Sequence, residues 1–340
     1  MGIKARRYAD ILAGAPEYVT GRQEEWKAFL ATAARNYKYP YYDQLMIYLQ
    51  RPEATACAEY DFWFDTMHRY VKRGAKGIAL VDNEGDSPRL RYVFDVADTG
   101  ARRNSRPVWL WQMKEEYRNP VMAALERAYG ISGENQSLEA QLEQVAGRLA
   151  ADYWLDYGRQ IRGIVADSFL EEYDEFNIGT VFRKAAQASI AYTLSVRCTE
   201  EGENQFEPED FRDVSDFNTR QTATALGTAV SSISREVFRE IERAIRDYER
   251  TKAQERSQNY AERNNIQAGR GLSSAGDRVE RDHRETSGQI RENAQGISEG
   301  EQSDTLQRSG TGGEVISPSS GDRRDSAPEA GSADEGTSGE

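Results

Sequence analysis

The chain has 340 residues, 30% of them charged and 38% apolar, with a net charge of -13 at pH 7, so it cannot all be folded around a core. Counted by region, residues 1–120 carry net +3, residues 121–251 net -10 and the remainder net -6, which leaves only the first third able to attract phosphate by its own field. No stretch of 18 consecutive apolar residues occurs and the N-terminus has no signal-peptide core, which excludes a membrane partner and points to a soluble, cytoplasmic protein.

The first patterned segment is "TGRQEEWKAFLATAARNY". Thr20 and Gln23 have the spacing of a capping box, and Trp26, Phe29, Leu30, Ala33 and Tyr37 share one helical face. After a turn at "YKYP", a short buried helix is expected from Tyr41 and must stop before Pro52. Residues 60–67 are rich in aromatic side chains, and Ile78 to Val81 and Leu90 to Val96 flank the polar segment "DNEGDSP" as a β-hairpin, with Arg69 to Val71 as a candidate third strand. From Asn119 the apolar spacing is helical throughout: Leu125 to Trp154, Phe176 to Leu194, and a closing helix from Thr219 to Tyr248. The later part of that last helix is heavily charged, including a Glu242 to Arg246 pair, and is expected to project into solvent.

The fold class expected is therefore α+β: helices packed on a small antiparallel sheet over residues 1–118, a mostly α-helical region over 119–251, and a disordered acidic low-complexity tail over 252–340. Cys57 and Cys198 stand alone, without CxxC partners, which suits a reducing compartment.

Few groups could do chemistry. There are two histidines, His68 and His283, and no HExxH, P-loop, GxGxxG or GxSxG motif. His68 is flanked by Arg69, Lys72 and Arg73, which disfavour the imidazolium that a general base becomes. The acidic segment around Glu207 to Phe217 could suggest a divalent-ion site, but Phe206, Phe211 and Phe217 read better as anchors of a solvated loop. No catalytic residue, cofactor or metal is expected.

One constellation suits nucleic acid. In "HRYVKRGAKG", Arg69, Lys72, Arg73 and Lys76 surround a glycine turn, and Trp63, Tyr70 and Tyr92 lie nearby in sequence, with Tyr39, Tyr41 and Tyr42 on the turn between the helices. Cations for the backbone and flat rings for unstacked bases are what a single strand needs.

The order of these features resembles the N-terminal single-stranded DNA-binding domain of ArdC-type antirestriction proteins. The resemblance rests on Tyr39-Pro40, Asp43-Gln44-Leu45-Met46-Ile47, Gln50-Arg51-Pro52, Trp63, Arg73-Gly74-Ala75-Lys76-Gly77-Ile78 and Phe94-Asp95-Val96, and covers about residues 20–99. Pro40 and Asp43 stand where that family usually has Ser and Asn. The resemblance implies a single-stranded DNA partner during conjugation, held by Arg69, Lys72, Arg73, Lys76 and Gln44 with Trp63 or Tyr70 as stacking platform. It also implies a mobile-element context in which restriction or conjugation proteins are partners. Such proteins often carry a following metallopeptidase with HExxH; that motif is missing, so the helical region reads as a degenerate or structural remnant. Two alternatives stay open: an acidic protein-interaction or DNA-mimic module, and a separated front module of a large helicase or methyltransferase.

Overall fold

In a computed structural model of the chain, residues 3–82, 89–199 and 205–273 are described. The fold is mostly helical with a small antiparallel sheet near the N-terminus. Residues 1–263 form one compact unit. A second unit runs over residues 264–340, and of it the structure describes only the last turns of the closing helix; most of the expected disordered tail lies outside the described residues.

Three helices open the chain: α1 (Ile3–Thr20), α2 (Gln23–Arg35) and α3 (Tyr41–Gln50). The expected capping box does not form. Arg22, not Thr20, is the N-cap of α2, because Thr20 still belongs to α1. Its hydroxyl instead donates to the carbonyl of Pro16 one turn back and to that of Phe217. The face of α2 holding Trp26, Phe29, Leu30, Ala33 and Ala34 is buried as its spacing requires, and α3 ends at Gln50, ahead of Pro52.

The sheet region follows. Strands β1 (Cys57–Glu59), β3 (Ile78–Asp82) and β4 (Arg89–Asp95) form a three-stranded antiparallel sheet in the order β1-β4-β3, with Ile78 opposite Val93 and Cys57 opposite Asp95. The hairpin is as expected, although residues 83–88 of its turn lie outside the described residues. The candidate third strand near Arg69 does not join it. Instead β2 (Tyr70–Val71) pairs with β5 (Thr99–Gly100) in a separate two-stranded ribbon.

Helices α4 (Glu115–Tyr129), α5 (Leu138–Arg162), α6 (Glu175–Cys198) and α7 (Arg220–Ser273) complete the fold, with a 3₁₀ segment at Pro208–Asp216 before α7. Phe211 within that segment and Phe217 at its end are fully buried, and Phe206 just before it packs against the core, so these phenylalanines do anchor it. The Asp210 carboxylate accepts from the backbone N–H of Glu207.

The division expected at residue 118 does not coincide with a break in the core. The Trp26 indole N–H donates to Ser189 Oγ of α6 at 2.8 Å, and Phe29 and Leu30 share one apolar cluster with Phe182, Leu226 and Phe238. The Tyr41 ring lies so close to Gly227 of α7 that a Cβ there would sit 2.2 Å from it. The second correction concerns α7. Around Glu242 it is not a solvated arm: Ile241 and Ile245 are fully buried, and the Glu242 carboxylate accepts from the Tyr37 hydroxyl and pairs with Lys38 and Arg246. Burial alone would raise that carboxyl, but the Tyr37 hydrogen bond and the two cations hold it below its ordinary value. Only beyond about Glu249 does α7 become largely exposed, and it stays helical past residue 252, where the tail was expected to begin.

Candidate nucleic-acid interface

The surface of interest is built on the ribbon and the turn before it. Residues Phe62–Thr66 form a π-helical turn, with the N–H of Met67 donating to the carbonyl of Phe62 at 3.0 Å. A π turn is wider than an α turn and is often found where a chain presents side chains for a function. Here it drives Trp63 inward, where it is 2% exposed and its indole N–H donates to the carbonyl of Phe94 at 2.9 Å. Its neighbours are turned outward: Tyr60, Phe62 and Phe64 are each more than 40% exposed.

Those outward rings are ordered against each other and against a cation. Tyr60 and Phe64 stack with centroids 5.9 Å apart and planes 11° from parallel. The Arg102 guanidinium lies 5.3 Å from the Phe64 centroid and 5.7 Å from that of Tyr70, so it bridges the π turn and the ribbon. Tyr70, 41% exposed, rests on Gly100, its partner across the β2–β5 pair, where a Cβ would lie 2.3 Å from the ring. The segment carrying Arg102 is held down from below. The Arg102 N–H donates to Ser105 Oγ, that hydroxyl donates to the carbonyl of His68, and the Arg106 N–H donates to the carbonyl of Met67. His68 itself sits at φ 53°, a left-handed conformation that reverses the chain between the π turn and β2.

The basic loop follows β2 directly in the chain. Arg69 is half-buried and donates through Nε to Thr99 Oγ1 at 2.8 Å, which makes it first a brace of the ribbon. Lys72 is exposed and its ammonium donates to the carbonyl of Ala97 at 2.8 Å. Arg73 and Lys76 are exposed on either side of Gly74 (φ 85°) and have no ion-pair partner among the described residues. Two carboxylates, Asp61 and Asp65, are also exposed on the π turn.

Two expected site residues are overturned by burial. Trp63 cannot stack a base, because it is the wedge that fixes the π turn. Gln44 is 2% exposed and donates weakly to the carbonyl of Asn36 inside the helical core. The rings between the first helices also face elsewhere: Tyr39 donates to the carbonyl of Cys57, Tyr41 packs on α7, and Tyr42 lies beside Thr224. Asp43 is buried against Arg91, which also pairs with Glu59. Its charge is therefore answered inside the protein, and burial raises its carboxyl despite the arginine. Burial likewise pushes the thiols of Cys57 and Cys198 up to about 12, which disfavours the thiolate at both.

The sequence reading missed Tyr60, Phe62, Phe64 and Arg102. A signal existed for the arginine: from Thr99 to Lys114 there are four cations, Arg102, Arg103, Arg106 and Lys114, and no acid. Among the described residues no group of three or more His, Cys, Asp or Glu side chains is placed to hold a metal ion, and no helix is long and apolar enough to cross a membrane. No family model, curated protein or solved structure matches the chain.

Proposed function

We propose that the chain is a non-catalytic single-stranded DNA-binding protein of a mobile element, with antirestriction during conjugation as its biological setting. The observation that carries this reading is the plate of Tyr60, Phe64, Arg102 and Tyr70, exposed and mutually ordered, with exposed Lys72, Arg73 and Lys76 following Tyr70 in the chain. Soluble domains seldom leave several large rings exposed side by side without a ligand for them. Flat faces accept unstacked bases of any sequence, and adjoining cations neutralise the phosphates that link them. A duplex hides its base faces, so the plate favours single strands. The resemblance to the ArdC-type N-terminal domain supports the same ligand, with its stacking role moved from Trp63 to the rings that surround it.

The test is fluorescence anisotropy of a labelled single strand of about 20 nucleotides with the full chain, over a salt series. Binding should weaken as salt rises, and Lys72→Ala/Lys76→Ala should bind more weakly with a shallower salt dependence. Absence of binding at low salt, or affinity unchanged to high salt, contradicts the proposal.

A further inference from the structure

A second surface, independent of the first, lies at one end of the helical region. There the C-terminal turns of α5, the connection to α6, the first turn of α6 and the start of α7 come together, tied by an Arg162–Glu175 ion pair, by the Phe169 N–H donating to Asn218, and by the Tyr173 hydroxyl donating to Asp216. Three large apolar side chains there point to solvent: Leu155 is 81% exposed, Phe176 75% and Phe169 61%. Local structure does not require this. Phe176 sits in the first turn of a helix whose N-cap is already supplied by Asp174, and Leu155 follows Trp154, which satisfies the α5–α6 packing by lying against Phe182.

The charge around these side chains selects among occupants. From Asp152 to Phe176 there are seven carboxylates against two arginines, and residues 171–177 are all exposed. Nucleic acid is repelled by such a rim. A second copy would oppose one acidic rim to another, and the chain's own residues from 252 onward are themselves net -6. What remains is a partner that brings apolar anchors and positive charge together.

We infer that this end of the α5–α6 hairpin docks a cationic amphipathic segment of another protein, whose apolar residues cover Leu155, Phe169 and Phe176 while its Lys or Arg side chains meet Asp156, Glu172 and Glu175. The apolar contacts supply affinity and the rim supplies choice of partner. This mode is that of an amphipathic helix held through its apolar anchors.

The test uses the full chain and a labelled peptide of about 18 residues with Leu and Lys at helical spacing, beside an isomer with Glu in place of Lys. The Lys peptide should bind and the Glu peptide should not. Leu155→Ser/Phe176→Ser, at positions too exposed to hold the fold, should weaken binding at least about tenfold while single-stranded DNA binding is unchanged. Equal binding by that variant means mere attraction to an acidic surface and overturns the inference, as does equal binding of the Glu peptide. Sedimentation of the chain alone is the second arm: self-association abolished by the same substitutions would identify a second copy as the occupant and overturn it too.

Discussion

Two surfaces of this protein expose large apolar side chains, and they differ in what surrounds them. At the π turn and ribbon, an arginine orders Phe64 and Tyr70, Tyr60 stacks on Phe64, and exposed cations follow in the chain; at the α5–α6 end, Leu155, Phe169 and Phe176 stand in a segment rich in carboxylates. Exposed hydrophobicity alone says only that something docks. The sign of the neighbouring charge, and whether the side chains are flat rings or mixed aliphatic and aromatic groups, separates a nucleic-acid ligand from a basic protein one. Both surfaces are carried by a single core, so the helical half is the frame on which the ribbon is mounted.

The dependence of both surfaces on one core is the claim with the largest expected effect. Trp26→Ala removes a fully buried indole and its hydrogen bond to the Ser189 hydroxyl, and should cost about 3–5 kcal/mol. Urea unfolding followed by both tryptophan fluorescence and circular dichroism should show one shifted transition. Separate transitions for the sheet region and the helices would break the single-core account.

The plate is tested next. Phe64→Ala or Tyr60→Ala should lower single-strand affinity by about 1–3 kcal/mol, as loss of one stacking platform does, with thermal stability hardly moved because both rings are exposed. Gly100→Ala should have a similar effect on binding by lifting Tyr70 from its seat, and would separate a positioned ring from one that is merely present.

A smaller effect concerns the join between the halves. Glu242→Gln keeps the shape but removes the charge facing Lys38 and Arg246, and should cost about 1–2 kcal/mol at neutral pH. The sign of the pH dependence follows from the depressed folded-state carboxyl. Its contribution is present above the ordinary glutamate value and is lost as pH falls through the lowered one. The difference between wild type and Glu242→Gln in denaturation midpoints should therefore shrink on acidification, and a difference that grows would contradict the assignment. Smallest of all, Lys76→Ala should leave stability within about 0.5 kcal/mol and reduce the slope of log affinity against log salt by about 1.

Much of the fold was legible in the sequence, because α2, α3, the hairpin and α5 to α7 each carry a full apolar face at a clear period. Helix α1 was not, since its sequence was weighed only as a possible leader and Pro16 interrupts its pattern. The shared core was not legible either: contacts such as Trp26 to Ser189 and Tyr37 to Glu242 join residues 163 and 205 positions apart, and local periodicity carries no information about partners. In the site, the basic loop was found by composition alone. The rings were misassigned because an aromatic run such as "YDFWFD" does not reveal which member points inward, and a π turn obeys neither the period of a helix nor that of a strand. Trp63 is suggested by its nearness in sequence to the basic loop as well as by the resemblance, Gln44 by the resemblance alone, and burial decides against both.

The most direct test of the central claim is the ratio of single-strand to duplex affinity, measured for the full chain and for Tyr60→Ala/Phe64→Ala at one salt concentration. The wild type should prefer the single strand by at least about tenfold, and the variant should lose most of that preference while keeping the weaker, charge-driven binding that both ligands share. A variant that retains the full preference would show that the rings are not the reader of unstacked bases, and would contradict the account.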